Sequence, residues 1–223
     1  MYRIKFYILI TIFCGITLSV SAQNNPKIFE KNPNYVQQMG LYKIYKLKSA
    51  NIVMLGNSIT HGANWNELLG RTDVVERGIT SDILLGYLNR LEFVTDLNPK
   101  VCFVMGGIND IYNWRPVEQI FEDYKKLIIR LKIRGIQPVI QSTLYVGKKW
   151  PSSDDRNQEV KKFNSLLENY AKQEKLVFVD LNSEMSFLGY LKENLTYDGI
   201  HLNANGFKIW AERVEKTIKE LGI

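Results

Sequence analysis

Short runs rich in Val, Ile and Phe alternate along this chain with longer amphipathic stretches, and this alternation restricts the possible folds more than any other feature. Such alternation is typical of βα units that build a parallel sheet. The apolar runs predict five strands, at 52–55, 74–76, 101–105, 138–141 and 176–180. The amphipathic stretches predict helices at 36–47, 81–91, 116–134, 157–174 and 204–221. Because parallel crossovers are right-handed, the helices should cover both faces of the sheet. We therefore expect an α/β fold, a three-layer α/β/α sandwich around a five-stranded parallel sheet.

The composition fits one domain with a sizeable core. Of the 223 residues, 45% are apolar and 23% are charged, and no repeat or low-complexity tract interrupts them. The net charge of +6 is scattered along the chain rather than concentrated in basic runs. Because nucleic-acid binding needs clustered cations that follow the phosphates, we expect no nucleic-acid partner.

The first residues have the features of an export signal. Arg3 and Lys5 precede an uncharged run at 6–20, and Ala22 ends a stretch of compact residues suited to cleavage. The run is shorter than the ~20 residues that a helix needs to cross a bilayer. We therefore predict a signal peptide at 1–22, a single mature domain at 23–223, and a secreted or periplasmic protein without stable membrane insertion after cleavage. A retained membrane anchor is the alternative.

The mature chain keeps one cysteine, Cys102, which lies within an apolar run at 101–105. A single cysteine forms no internal disulfide. The run itself contains no cation to lower the pKa of its thiol. We therefore predict a buried, unreactive side chain rather than a nucleophile.

Polar residues follow three of the predicted strands. Ser58 comes just after the first strand in Gly56-Asn57-Ser58, Gly78 follows the second strand, and Asn109 follows the third. The carboxyl ends of parallel strands lie at one edge of the sheet, so these residues should meet there. The N–H groups of Ser58 and Gly78 and the side-chain amide of Asn109 could then point at one developing oxyanion.

Two histidines could serve as a base for the Ser58 hydroxyl. His201 lies three residues after Asp198, so that the carboxylate could turn back and fix the tautomer of the imidazole. His61 lies three residues after Ser58 without an evident carboxylate partner nearby in the sequence. We therefore favour His201 as the base and expect His61 to be a surface or pocket-rim side chain.

Taken together, these segments resemble the four conserved blocks of the SGNH, or GDSL-like, hydrolases. The matching segments are Gly56-Asn57-Ser58, Gly78, Gly107-Ile108-Asn109-Asp110 and Asp198-Gly199-Ile200-His201. The resemblance implies a flavodoxin-like sandwich without a metal or organic cofactor. It also implies that Ser58 is the nucleophile, His201 the base and Asp198 its orienting partner, with Ser58, Gly78 and Asn109 forming the oxyanion hole. One position departs from the family pattern, because Asn57 stands where the family usually has Asp.

Aromatic residues on the loops suggest a substrate. Trp65, Trp114 and Tyr145 are predicted to contact it, because aromatic rings pack against the C–H faces of sugars. Exported members of the family that resemble this chain include acetylesterases that act on O-acetylated sialic acid or xylan. We therefore expect a secreted esterase for small acyl groups on a small-molecule or glycan substrate. Two alternatives stay open: a lipid esterase of lysophospholipase or thioesterase type, and a carbohydrate-binding protein without turnover. The sequence leaves the oligomeric state open.

Overall fold

The computed structural model describes residues 28–223, and the predicted signal peptide lies outside the described residues. Its main sheet has five parallel strands. They are β1 (Ile52–Gly56), β2 (Val74–Gly78), β3 (Val101–Val104), β4 (Gln137–Gln141) and β5 (Val177–Val179). A short antiparallel hairpin follows, formed by β6 (Ser186–Phe187) and β7 (Tyr190–Leu191).

The helices differ widely in length. The long ones are α1 (Pro33–Ile44), α7 (Val117–Ile133), α8 (Ser153–Glu174) and α10 (Ala204–Glu220). The short ones are α2 (Ser58–His61), α3 (Trp65–Leu68), α4 (Leu84–Asn89), α5 (Glu92–Thr95), α6 (Ile108–Tyr112) and α9 (Asn182–Met185). Two 3-10 segments complete the described chain, at Ile28–Lys31 and Glu193–Leu195.

The strands lie in the order β2-β1-β3-β4-β5. This is the order of flavodoxin-like doubly wound sheets, and it confirms the predicted fold. The chain moves from β1 outward to β2 and then returns past β1 to β3. With right-handed crossovers, this reversal places the helices after β1 and those after β2 on opposite faces.

Packing between the helices agrees with two outer layers. On one face the ring of Tyr124 in α7 packs edge to face against the ring of Phe163 in α8, with the ring centroids 5.9 Å apart. On the other face Trp65 in α3 meets Trp210 in α10 in the same manner at 4.8 Å. Every residue of β1 is buried, as expected for a strand covered by helices on both sides.

All five predicted strands are present, and the helices differ from prediction mainly at their first residues. The second predicted helix begins at Leu84 rather than 81, because Ser81 has a φ of 60° and belongs to a turn. Helix α8 begins at Ser153 rather than 157, since acidic residues in its first turn favour a helix N-terminus. Asn203 caps α10 as predicted, accepting hydrogen bonds from the N–H groups of Asn205 and Gly206.

The register of the sheet defines the edge where polar groups collect. Gly56 at the end of β1 pairs with Gly78 at the end of β2, and Leu55 pairs with Val104 at the end of β3. The reversal of strand order lies between β1 and β3. Ligands in such sheets bind in the crevice outside the carboxyl ends of the strands at this point.

Candidate active site

Ser58 begins a short helix directly after β1. The side chain of Asn57 caps this helix, its Oδ1 accepting from the N–H of Ile59 at 3.0 Å. Asn57 therefore performs the local capping role without the charge of an aspartate. Its Nδ2 is buried and has no hydrogen-bond partner within residues 28–223. Gly56 is needed before this turn, because a Cβ there would collide with the Thr60 side chain.

His201 and Asp198 meet Ser58 in a continuous chain of hydrogen bonds. His201 Nε2 lies 3.0 Å from Ser58 Oγ, although 143 residues separate the two in sequence. His201 Nδ1 lies 2.6 Å from Asp198 Oδ2. The structure thus brings together the three residues that the sequence singled out as nucleophile, base and orienting acid.

The loop that carries Asp198 and His201 is held by its own hydrogen bonds. Asp198 Oδ1 accepts from the N–H of Ile200 at 2.9 Å and from that of His201 at 2.8 Å. The Thr196 hydroxyl donates to the carbonyl of His201 at 2.6 Å and accepts from the N–H of Gly199 at 2.9 Å. Gly199 has a φ of 101°, which a residue with a side chain adopts only under strain.

The electrostatics favour an ionised Asp198. Partial burial raises the pKa of this carboxyl, but hydrogen bonds from His201 and from two backbone N–H groups outweigh it and hold the pKa below its ordinary value. An ionised carboxylate accepts from Nδ1–H of the imidazole and leaves Nε2 as an acceptor. The Ser58 hydroxyl can then donate to Nε2.

Three hydrogen-bond donors lie at the ends of β1, β2 and β3. The Ser58 N–H is in the first turn of α2, where backbone amides have no partner inside the helix. Asn109 Nδ2 donates one hydrogen to the carbonyl of Asp82 at 2.8 Å, and an amide carries a second hydrogen. The Gly78 N–H differs, because it donates to the carboxylate of Glu76. That donor becomes free only when the Glu76 side chain moves.

The 145–150 segment contacts the loop of Asp198 and His201 from the outside. The Gly147 N–H donates to the carbonyl of Gly199 at 2.7 Å. A Cβ on Gly199 would lie 3.4 Å from the Trp150 ring, an ordinary contact distance. The segment therefore supports the position of Asp198 and His201.

The structure places the three predicted substrate contacts in different environments. Trp65 is wrong as a substrate contact: its side chain is 0% exposed, packs on Trp210 and donates to the carbonyl of Thr60 at 2.8 Å. Tyr145 lines a separate groove with Asp180 and none of the residues around Ser58, so this prediction gains no support.

Trp114 is 74% exposed, and its ring lies over the Arg156 guanidinium at 3.2 Å. It remains a prediction. Sequence reasoning missed Tyr197, which is 72% exposed and whose ring lies 5.9 Å from that of His201 in a nearly parallel orientation. Its position directly before Asp198 was the available signal.

The remaining candidates have the predicted environments. His61 is half-exposed, with Nδ1 3.4 Å from Glu76 Oε2, and this hydrogen bond raises the pKa of His61. Cys102 is buried, which raises the pKa of its thiol and leaves it unreactive.

The described part of the chain contains neither a cluster of metal ligands nor a membrane-spanning helix. No group of three or more His, Cys, Asp or Glu side chains in 28–223 is arranged to hold a metal ion. Across the same stretch, none of the helices is both long and apolar enough to cross a lipid bilayer.

Solved structures of other proteins have the same fold. The described structure matches a GDSL-like lipase from Bacteroides thetaiotaomicron with a TM-score of 0.75 and 22% identity, covering 84% of this chain and 98% of the lipase. It matches the acetyl xylan esterase AlAXEase with a TM-score of 0.63 and 21% identity, covering 75% and 98% of the two chains.

A curated relative, the N-acylneuraminate cytidylyltransferase of Streptococcus agalactiae serotype V, is 28% identical over 177 residues. The match covers 78% of this chain but only 40% of the relative, so the chain spans about two fifths of that protein's length. The model of the GDSL-like Lipase/Acylhydrolase family matches residues 54–209, which include the serine, the histidine and the aspartate described above. The chain therefore belongs to the GDSL-like Lipase/Acylhydrolase family.

Proposed function

We propose that the chain is an exported serine esterase that removes small acyl groups, acetyl in particular, from carbohydrates. The observation that carries this proposal is the hydrogen-bonded chain from Ser58 Oγ through His201 to Asp198, at 3.0 Å and 2.6 Å. A serine hydroxyl is a weak nucleophile until an adjacent base accepts its proton. The arrangement supplies that base and orients it.

The reaction proceeds in two acyl transfers. Ser58 Oγ attacks the ester carbonyl carbon while His201 Nε2 takes the hydroxyl proton, and the carbonyl π electrons move onto oxygen. The bond to the alcohol then breaks, and the leaving oxygen takes the proton from the imidazolium. A water molecule next attacks the acyl-serine with His201 again accepting a proton, which releases the acid and restores Ser58.

The negative oxygen of each tetrahedral intermediate is bound by the donors at the strand ends. We assign the Ser58 N–H, the Asn109 side-chain amide and the Gly78 N–H to this role, the last after Glu76 has moved away. Loss of one such donor costs on the order of 3 kcal/mol in the transition state. We therefore expect Asn109→Ala to lower kcat by about a hundredfold with little change in KM. An unchanged kcat would contradict the assignment.

Two observations support a sugar ester as substrate. The structural neighbour AlAXEase is an acetyl xylan esterase. Tyr197 and Trp114 are large, exposed aromatic side chains, and Tyr197 lies directly beside His201. Such rings offer apolar faces with a polar handle for a ring-shaped ligand.

The test varies the acyl group and the alcohol part of the ester and measures hydrolysis by the purified protein. We expect release of acetate from acetylated xylo-oligosaccharides or O-acetylated sialic acid, and loss of this turnover in Ser58→Ala with retained folding. A binding protein without turnover would release no acetate and would bind the glycan equally well in both forms. The p-nitrophenyl esters of increasing length measure acyl preference, and a strong preference for chains longer than about four carbons would contradict the acetyl assignment.

The lipid-esterase alternative draws support from one surface feature. The β6–β7 hairpin exposes Phe187 at 67% and Leu188 at 80%, beside a groove of about 460 Å³ that Tyr190 and Leu191 also line. None of the residues around Ser58 lines this groove, so a long acyl chain would have to extend into it from the ester carbonyl. The acyl-length series decides between the two, since only the lipid esterase gains rate with chain length.

A further inference from the structure

One fully buried guanidinium connects the ends of two strands at the active site. Arg90 is 0% exposed, and its Nη2 donates to the carbonyl of Gly56 at 2.9 Å, at the end of β1. Its Nη1 donates to the carbonyl of Arg77 at 3.0 Å, directly before Gly78 in β2. These two carbonyls belong to the segments that deliver the N–H groups of Ser58 and Gly78.

The partner of Arg90 extends the connection to the third donor. Arg90 Nε donates to Asp82 Oδ2 at 2.7 Å, and both side chains are 0% exposed. The backbone carbonyl of Asp82 in turn accepts from Asn109 Nδ2 at 2.8 Å. Asp82 Oδ1 accepts from the N–H of Ile83 at 2.9 Å, which fixes the carboxylate from the other side. The guanidinium of this ion pair therefore contacts the backbone carbonyls of two segments that carry oxyanion donors, and the main chain of Asp82 accepts from the third donor, the Asn109 side chain.

Burying such a pair is difficult to explain by stability alone. Desolvation of two charges is costly, and apolar residues of similar volume often stabilise a protein as well or better. The planar guanidinium, however, holds its N–H groups in a fixed arrangement that an ammonium does not reproduce. It therefore keeps the carbonyls of Gly56 and Arg77 at a set spacing, where the ladder between β1 and β2 ends.

We propose that Arg90, together with Asp82, is a positioning residue that holds the Ser58 N–H, the Gly78 N–H and the Asn109 amide at the spacing required to bind one oxyanion. Arg90 touches no substrate and acts only through these backbone segments. The inference rests on the proposed function, because it needs an oxyanion at Ser58. It adds a residue outside the Ser58–His201–Asp198 chain on which kcat depends.

The first test is Arg90→Lys, assayed on p-nitrophenyl acetate. A displacement of donors on the order of 1 Å lowers transition-state binding more than substrate binding, so we expect kcat to fall at least roughly tenfold while KM stays within about twofold. The matched control is Arg71→Lys. Arg71 also hydrogen-bonds an aspartate, Asp73, but at the start of β2, away from the site, so its kcat should equal that of the wild type.

A double-mutant cycle with Asn109→Ala separates positioning from general loss of structure. If Arg90 acts through the donors, the double variant should lose less than the product of the two single effects, because one of the three donors that Arg90→Lys displaces is already absent. Independent effects that multiply would overturn the proposal, as would a wild-type kcat in folded Arg90→Lys.

If Arg90→Lys does not fold, Asp82→Asn gives the same measurement with nearly unchanged volume. We expect the same fall in kcat at constant KM, and a wild-type kcat in folded Asp82→Asn overturns the proposal. Failure of the proposed function is recognised separately: the wild-type protein then hydrolyses no ester at all. An active wild type with an equally active Arg90→Lys rejects only the present inference.

Discussion

The two halves of the active site are held in place by different kinds of contacts. The half with Ser58 and Asn109 rests on buried groups, including the fully buried Asp82–Arg90 ion pair and the fully buried side chain of Asn57. The Asn57 cap is local, but the hydrogen bonds of Arg90 join segments 13 and 34 residues apart in sequence. The position of this half therefore depends on the whole sheet.

The half with Asp198 and His201 is held largely by local contacts. Both side chains are about one-third exposed, at 31% and 30%. Their hydrogen bonds lie mostly within six residues, from Thr196 to His201, with contacts from outside the loop at Ser58 and Gly147. This half is a self-contained loop docked on the sheet. Substitutions in the two halves should therefore affect stability and turnover in different proportions.

The largest expected effect is on turnover in the loop half. Asp198→Ala removes the acceptor of the imidazole and should lower kcat about 10³–10⁴-fold. Because the side chain is partly exposed and its hydrogen bonds are local, the free energy of unfolding should fall by less than about 2 kcal/mol. Steady-state kinetics and denaturant unfolding on the same preparation check both. A loss of folding in this variant would contradict the view of a self-contained loop.

A glycine pair tests how far the loop's backbone matters. Gly199 and Gly70 both have positive φ, at 101° and 59°. Alanine at either position should cost about 1–3 kcal/mol of stability through backbone strain. Only Gly199→Ala should also lower kcat, by roughly tenfold, because it displaces His201. Equal kcat values in Gly199→Ala and the control Gly70→Ala would show that the loop tolerates distortion.

The Glu76 side chain allows a gain of activity to be tested in the buried half. Its carboxylate accepts from the Gly78 N–H, and it also places a negative charge near a developing negative oxygen. Glu76→Ala frees the Gly78 N–H and removes this negative charge. We therefore expect kcat to rise by roughly twofold to fivefold at unchanged KM. A fall in kcat would show that Glu76 instead supports the donors. Glu67→Ala, an exposed acidic residue on α3, is the control for a general change in charge.

The smallest expected effect is a pH dependence of stability at the rim. The hydrogen bond to Glu76 raises the folded-state pKa of His61 above its ordinary value of 6.5. The pair therefore stabilises the fold fully below pH 6.5, and this contribution is lost as the pH rises through the folded-state pKa. Thermal unfolding of wild type and His61→Gln should differ most just below about pH 6.5, where the imidazolium faces an ionised carboxylate, and coincide near about pH 9. A stability difference between the two proteins that grows with pH would contradict the raised pKa of His61.

The sequence predicted the sheet well because its signals were local. Continuous apolar runs such as 101–105 mark strands that are buried on both faces. The turn residues at Gly56 and Gly78 mark where those strands end, and the two segments pair in the structure. From the common edge of a parallel sheet followed the prediction that Ser58, Gly78 and Asn109 lie at the carboxyl ends of their strands.

What the sequence did not predict depends on contacts between distant residues. Trp65 reads as a loop aromatic, and only its packing on Trp210 of the last helix buries it. Arg90 reads as a solvated charge at the end of a helix, since nothing local shows that β1 and β2 offer it two carbonyls. The proximity of Glu76 to Gly78 could have been predicted from the sequence, because residues two apart on a strand share a face and Gly78 follows Glu76 at that spacing.

The most direct measurement is a crystal structure of the protein after reaction with an alkyl fluorophosphonate, whose tetrahedral adduct resembles the intermediate. We predict phosphorus bound to Ser58 Oγ, with the phosphoryl oxygen within hydrogen-bond distance of the Ser58 N–H and Asn109 Nδ2 and with His201 facing the adduct. Phosphorus bound to a different residue, or a phosphoryl oxygen that points away from both donors, would contradict the account.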